Sequence, residues 1–336
     1  MAITLHDVAR LAGVSIKTVS NVINDYPHIR PATREKVEAA IDELGYQPNL
    51  SARSLRSGRS GVISLLIPDL RNAYFAELAD AVMRAARAKG LSVIIEQMPG
   101  GKKEELEILR GPRMQLVDGI LYSVLALGEE DAHHLDNSMP MVLLGDRIFH
   151  GPKDHVTMQN TEGSRAATEH LLSLGRRRVA ALGAHPGEVV GSAGLRLDGY
   201  RQALAERGVE YDPALVIPVM SWHRQDGAEA MRAFLAEGVA FDGLVGFNDS
   251  MALGAMRVMQ EAGLQIPGDV AVIGFDDIDE TRYSIPSLST IDPSKDQIAE
   301  TAVDLLLERI ENPDSDAPAR DLATEFRVVQ RESSAN

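Results

Sequence analysis

TLHDVARLAGVSIKTVSNVIN (residues 4–24) reads as two short helices joined by a tight turn. In the first, Leu5, Val8, Ala9 and Ala12 recur at helical spacing behind Thr4, a residue type that caps helix starts. Gly13 accepts the left-handed conformation that ends a helix and redirects the chain. Ser15 then caps a second helix whose buried stripe is Val19, Val22 and Ile23. Ile16, Lys17, Thr18, Ser20 and Asn21 are left for the outer face or the leading end. Helix, glycine turn, helix is the order that presents a second helix to the major groove of DNA. It also describes an ordinary helical hairpin, and the sequence that follows decides between them. Residues 32–44, ATREKVEAAIDEL, place Val37, Ala40, Ile41 and Leu44 on one helical stripe and stop at Gly45. Three helices then make a compact headpiece.

Charge sharpens this reading. The net charge of −15 over 336 residues argues against nucleic acid until it is divided along the chain. Residues 1–60 hold eight Lys or Arg against six Asp or Glu, and the remainder holds 26 against 43. Within LSARSLRSGRS, residues 50–60, there are three Arg and no acid. That segment is suited to phosphates while the acidic body stays clear of them. Alone it is too short and too Ser-rich to hold a helix. Docked on DNA it is expected to fold, with Leu55 as an apolar wedge in a minor-groove base step. Residues 57–61, SGRSG, read as plain linker.

Length sets two or three structural units. The absence of Cys excludes a disulfide framework and any thiolate metal site. The opening MAITLHDVAR carries no basic-then-apolar export signal, and no apolar run approaches a membrane span. A cytoplasmic location is the expectation.

From Val62 onward strands alternate with helices. VISLLIPD is a buried strand, Tyr74–Lys89 a helix and LSVIIEQ the next strand. Helices near 103–115 and 129–137 alternate with the strands VDGILYS and MPMVLLG. After HVTMQN the pattern restarts with helix 161–174, strand RVAALGA, helix 194–207 and strand ALVIPVM. Helix 226–237, strand FDGLVGFND, helix 250–262 and strand VAVIGFDD complete the set. A last helix (297–310), a Pro- and Asp-rich loop (311–320) and the strand EFRVVQR close the chain. Uniformly apolar strands spaced by helices mean parallel sheets covered on both faces. Two successive sets mean two doubly wound α/β lobes, with a ligand expected in the cleft at the carboxyl ends of the strands.

Read together, the headpiece, basic segment and two lobes resemble the LacI/GalR family of bacterial transcription regulators. The resemblance rests on DVARLAGVSIKTVSNVIN, TREKVEAAIDELGYQPN, ARSL, NDSMALGAM and VIGFDD, matched in order and spacing over nearly the whole chain. It implies an all-α helix-turn-helix headpiece (1–47), a hinge helix and linker (48–61) and a two-lobed periplasmic-binding-protein-like α/β domain (62–336). Lobe one is expected over 62–160 and 292–321, lobe two over 161–291 and 322–332. It further implies a homodimer on a palindromic double-stranded operator, with DNA affinity set by a small molecule in the cleft, most simply a sugar. The dimer would pair through the Tyr74–Lys89 helix and its neighbours. No enzymatic activity, cofactor or metal is implied.

Among the DNA-contacting residues, Lys17 suits guanine O6 or N7, Ile16 a thymine methyl and Asn21 a base edge or phosphate. Thr18 and Ser20 suit phosphates. Thr4 and Ser15, at the two helix starts, complete the headpiece set. By the resemblance, Leu55 inserts at the operator centre with Ala52, Arg53 and Arg56 beside it. In the cleft, Tyr74, Phe75, Ser123, Ser192, Arg196, Asn248, Ser250 and Asp276 stand at strand ends or helix starts, and Trp222 is the sole tryptophan. Carboxylate, amide and guanidinium groups fix hydroxyls, and flat rings cover a sugar or a base. The resemblance carries effector contact to Arg196, Asn248 and Asp276 and an aromatic cover to Trp222. It does not carry it to Asp146, since relatives place that acid one position earlier. Lys295, after Pro293, leaves a phosphorylated effector open, and a purine or nucleoside is a further alternative. Asp249 and Asp277 read as helix-capping or lobe-bridging acids. His133, His134 and the other histidines read as surface or loop positions. No GxGxxG follows the first strand, no Walker-type loop occurs and no Ser-His-Asp set stands out, which argues against an enzyme. A transport solute-binding protein of the same build needs an export signal and no headpiece.

Overall fold

The computed structural model describes residues 3–23, 26–46, 59–98 and 100–335, so Ala52, Arg53, Leu55 and Arg56 lie outside the described residues. The chain divides into two compact units between Ser60 and Gly61.

The first unit holds α1 (Leu5–Ala12), α2 (Ile16–Ile23) and α3 (Pro31–Leu44). The Asp7 carboxylate accepts from the Thr4 amide at 3.0 Å and from its hydroxyl at 2.7 Å, which fixes the start of α1. Gly13 takes φ +66°, the left-handed turn that only glycine adopts without penalty. Ser15 Oγ then accepts from the Thr18 amide at 3.1 Å and caps α2. Val8, Val19 and Val37, one from each helix, are fully buried, with Ala9, Val22, Ala40 and Tyr46 around them.

The second unit begins with β1 (Val62–Ile67), α4 (Ala73–Ala88), β2 (Ser92–Gln97), α5 (Lys102–Leu109), β3 (Gly119–Ser123), β4 (Met141–Leu144) and β5 (Asp154–Thr157). Next come α6 (Asn160–Ser173), β6 (Val179–Ala184), α7 (Ser192–Glu206), β7 (Val216–Pro218), α8 (Arg224–Ala236), β8 (Gly243–Gly246), α9 (Asp249–Glu261) and β9 (Ala271–Ile273). Last are β10 (Thr290–Asp292), α10 (Lys295–Glu311), β11 (Asp321–Ala323) and β12 (Arg327–Val329). The first sheet runs β11-β5-β4-β3-β1-β2 and the second β7-β6-β8-β9, every pairing within them parallel. β10 and β12 form a separate antiparallel pair.

Alternation inside the strands puts apolar residues on both faces, as parallel sheets require. Ile63, Leu65 and Ile67 of β1, Leu121 of β3 and Val142 and Leu144 of β4 pack on one side. Leu66, Ile120, Tyr122, Met141 and Leu143 pack on the other. In the second lobe the helix pairs cross at contact distance. A Cβ on Gly199 of α7 would strike the Thr161 carbonyl of α6, and one on Gly254 of α9 the Arg224 carbonyl of α8.

Three expectations change in detail. The single helix over 103–115 is α5 followed by a 3-10 turn at Pro112–Leu116, because Pro112 donates no amide and restricts Gly111 before it. The helix over 129–137 is a 3-10 segment, Glu129–Leu135. The return to lobe two comes after Ala323 rather than at 322, since Leu322 and Ala323 pair with Val156 and Thr157 of the first sheet.

That last strand is pinned by a buried ion cluster. Asp154 accepts from Arg309 Nε at 2.8 Å and Nη2 at 3.1 Å, and from the Arg320 amide at 2.9 Å and Nε and Nη2 at 3.1 Å each. Burial opposes its charge, yet the Arg309 and Arg320 contacts hold the carboxyl down to about 2. The stabilisation is therefore complete above the ordinary Asp range and is lost as pH falls through about 2. Asp154→Asn is expected to cost about 3 kcal/mol at neutral pH, read as a lowered urea midpoint. An unchanged midpoint would mean that the cluster is dispensable.

Candidate functional site

On the headpiece, α2 leaves Lys17 exposed, with Thr18, Ser20 and Asn21 half-buried beside it. Ile16 is half-buried and packs in part on the headpiece core, so its side chain is shared between core and surface. The Ser15 hydroxyl, engaged as the cap, lies 2.9 Å from Thr18 Oγ1. Thr4 is exposed at the start of α1. The outer face of α2 is small and polar and presents Lys17, for which no ion-pair partner stands among the described residues, a surface of the kind that reads base edges.

In the second unit a cavity of about 250 Å³ opens between the lobes at the carboxyl ends of β1, β3 and β4. Tyr74, Phe75, Ser123, Ser192, Arg196, Trp222 and Asp276 all line it. Arg196 is the most engaged. Its Nε donates to Asn160 Oδ1 at 2.8 Å, Nη1 to the Phe247 carbonyl and Nη2 to Met158 Sδ at 3.2 Å. The guanidinium stacks 3.7 Å over the Phe275 ring and pairs with Asp276 at 3.6 Å. Asp276 sits where β9 hands over to the crossing, at φ +115°, a backbone region that costs a non-glycine residue about 1–3 kcal/mol. Its amide donates to the Ile291 carbonyl at 2.8 Å, which holds the turn. Burial pushes its carboxyl up to about 6, against the pull of Arg196 and Lys295 and aided by Glu77 and Asp146. Burial also pushes the Tyr74 phenol upward, so it stays neutral.

Asp146, which the sequence did not carry to the ligand, also lines the cavity. It accepts from Thr157 Oγ1 at 2.7 Å and, across the cleft, from Ser192 Oγ at 2.6 Å. Two further contacts join the lobes at the rim. Arg147 lies 3.6 Å from Glu188, and His223 lies 3.1 Å from Asp69. The cleft is closed enough for side chains of both lobes to share one cavity.

Two expected contacts are placed differently. Asn248 is buried and spends its amide elsewhere, accepting from Met251 N at 2.8 Å as the cap of α9 and donating to the Trp222 carbonyl at 3.0 Å. It positions Trp222 rather than lining the cavity, and Ser250, on the first turn of α9, does not line it either. Lys295 also stays out of the lining. Its ammonium holds the Asp276 and Asp277 carbonyls and pairs with Glu77 at 3.2 Å. Asp249, fully buried, accepts from Thr290 Oγ1 at 2.7 Å and from the Ile278 amide at 3.1 Å.

The sequence missed the wall built by loops. His185, Glu188 and Arg147 line the cavity, yet stand in segments without periodicity. Glu105 of α5 is buried, and its carboxylate accepts from the amides of Leu125, Ala126 and Leu127 at 2.9–3.0 Å, fixing the loop after β3. His155 is buried rather than superficial, 2.7 Å from the Gly145 carbonyl and 2.9 Å from Asp321, and it braces the backbone beside Asp146.

Comparison with known proteins agrees with both units. Residues 4–49 match the profile "Bacterial regulatory proteins, lacI family", and residues 168–334 match "Periplasmic binding protein-like domain". The ribose operon repressor of Escherichia coli (strain K12) is 33% identical over 312 residues, covering 92% of this chain and 94% of that protein. The chain belongs to the LacI family. The HTH-type transcriptional repressor PurR of Vibrio atlanticus is 32% identical over 98% of the chain and 97% of its own length. Among solved structures, the lac repressor dimer bound to operator and an anti-inducer is 30% identical, with a TM-score of 0.84 over the whole of both chains. As a LacI-family member the protein is a transcription regulator with a DNA-binding headpiece and a ligand-binding body, and these relatives are repressors rather than enzymes. Among the described residues no helix is long and apolar enough to cross a membrane, and no group of acids and histidines has metal-binding geometry.

Proposed function

We propose that this regulator is a repressor that binds a palindromic operator as a homodimer and is controlled by an uncharged sugar of monosaccharide size. The observation that carries the ligand reading is the cavity floor. Two carboxylates, Asp146 and Asp276, and one guanidinium, Arg196, converge there beside the flat faces of Trp222 and Phe75. Carboxylates accept from sugar hydroxyls, a guanidinium donates to ring and hydroxyl oxygens, and aromatic faces cover C–H surfaces. The cavity, about 250 Å³, is of the order of a small polar ligand. A phosphorylated sugar is disfavoured by the acids and by the engagement of Lys295 elsewhere. Tyr74 meets Phe75 at 72° and His185 meets Trp222 at 51°, so neither of these ring pairs offers two parallel faces.

Dimer pairing is supported by large apolar side chains left on the surface. Tyr283 and Ile285 are 76% and 87% exposed, and the Asp279 amide donates to Glu77 Oε1 of α4 at 2.7 Å, so this segment continues the α4 face. Ile285→Glu is expected to shift the protein from dimer to monomer in sedimentation velocity, and an unmoved boundary would place the interface elsewhere.

Ligand acts by its difference in affinity for two lobe arrangements, typically about 1–3 kcal/mol, and so biases which hinge geometry is available to DNA. The regulator reading is tested by selecting genomic duplexes on the full chain at low salt. A palindrome is expected, and Leu55→Ala is expected to weaken it at least tenfold, about 1.4 kcal/mol, with ligand binding intact. Recovery of no palindrome would end the reading, and wild-type affinity in Leu55→Ala would remove the wedge.

A further inference from the structure

The cavity acid Asp276 is held from behind by the first lobe. Asp276 and Asp277 follow β9 of the second sheet and take φ +115° and +47°, a region that non-glycine residues occupy only when their surroundings hold them there. The Ile278 amide ties this turn to Asp249 at the start of α9, within the second lobe. The grip comes from the other side of the cleft. Lys295, the first residue of α10, donates to the Asp276 carbonyl, donates to the Asp277 carbonyl at 3.0 Å, and pairs with Glu77 Oε2 of α4 at 3.2 Å. An ammonium has three donors and no acceptor, and three acceptors meet it here. Glu77 spends its other oxygen on the same turn, Oε1 accepting from the Asp279 amide at 2.7 Å. The Lys295 and Glu77 side chains are 13% and 29% exposed, so solvent screens them less than a surface pair. α4 and α10 pack on each other and on the first sheet, so both side chains reach across from lobe one to lobe two.

We propose that Lys295 is a positioning residue for Asp276, and that Lys295 and Glu77 form a clamp by which the first lobe sets the acid that meets the ligand. What Asp276 binds rests on the reading above; how it is held does not. The clamp and the cavity share their supports. Tyr74 and Phe75 line the cavity from the turn of α4 that carries Glu77, and Ile298 lines it from the turn of α10 that begins at Lys295. Parting the lobes strips the ammonium from two carbonyls and Glu77 from the Asp279 amide in one movement. A ligand that draws on the Asp276 carboxylate therefore acts on the lobe arrangement through this turn. The two arms act oppositely on the acid itself. Burial pushes the Asp276 carboxyl up to about 6; Arg196 of α7 and Lys295 favour its charge, while Glu77 and Asp146 oppose it. Asp249 of α9 is the remaining acid coupled to it.

The test follows Trp222 fluorescence of the full chain in urea from pH 5 to pH 8, for wild type, Lys295→Met and Glu77→Gln. Each is paired with the same protein carrying Asp276→Asn, and the difference within a pair isolates this one acid. In wild type the Asp276 contribution falls as pH rises and levels off at about 6, where the folded chain gives up the proton that the unfolded chain has already lost. Without the ammonium the acid keeps its proton longer, so in Lys295→Met the fall is expected to continue above that pH. Without the Glu77 charge it lets go sooner, so in Glu77→Gln the levelling moves below it. Displacement in one direction for both variants, or in neither, would make these side chains braces of the fold alone and overturn the clamp. Glu77→Gln keeps an acceptor for the Asp279 amide, which leaves the clamp testable should Lys295→Met fail to fold. A thermal-shift panel of D-ribose, D-xylose, D-glucose and D-galactose gives the second readout. The sugar that stabilises wild type most is expected to bind Lys295→Met about tenfold more weakly, and undiminished binding overturns the positioning role. If none of the four raises the melting temperature, the sugar reading fails, and the pH profiles alone decide the clamp.

Discussion

Arg196→Met is expected to abolish the response to ligand and to destabilise the second unit by about 3–5 kcal/mol, the scale for removing one partner of a buried charge pair. The side chain does three things at once. It satisfies the Phe247 carbonyl at the end of β8, orients Asn160 at the start of α6, and lies between the Phe275 ring and Asp276. Methionine keeps part of the volume and loses every donor, so Asp276 remains buried without its guanidinium. Trp222 is the only tryptophan and belongs to the second unit, so its fluorescence during urea unfolding follows that unit alone. Arg196→Lys keeps a charge but not the planar fork that reaches Asn160, Phe247 and Met158 together. It is expected to recover part of the stability and none of the ligand response. A wild-type midpoint and a wild-type ligand shift in Arg196→Met would dissolve the site as drawn here.

What was legible beforehand follows from how each feature is encoded. The strands are short uniform apolar runs, and their burial on both faces is written in every residue, as β1 and β4 illustrate. Gly13 and Gly45 end their helices through backbone conformation alone, a signal local to one position. The cavity was legible where residue type coincides with a strand end, as at Asp276, or with a helix start, as at Arg196. It was not legible where one residue type serves two purposes. Asn248 looks the same whether it binds a sugar or caps α9, and only the direction of its amide decides. Nor does sequence order bring together Asp146 and Ser192, or Arg147 and Glu188, which meet because two lobes close on each other. His155 reads as a loop residue because β5 is four residues long and carries Asp154 and His155, both buried through ion pairs and hydrogen bonds rather than apolarity.

The acids of the cleft also reveal what the site costs the fold. Asp276 is 4% exposed, and with Asp249, whose carboxyl burial pushes well above the ordinary range, it makes a pair that cannot both ionise cheaply. A binding site that must meet hydroxyls keeps such groups where a packed core would not. Asp276→Asn is therefore expected to separate function from stability, with ligand response lost and the second unit more resistant to urea at neutral pH. The sign follows from proton counting. Between the ordinary Asp value of 3.8 and about 6, the unfolded chain has released a proton that the folded chain keeps, so wild-type stability falls as pH rises through that window and levels off above it. Asparagine mimics the protonated acid and has no such slope. The gap between variant and wild type should widen by on the order of 2–3 kcal/mol from pH 4 to pH 7. A gap that stays constant across that range would mean that Asp276 is charged without penalty, and that Arg196 alone suffices to solvate it.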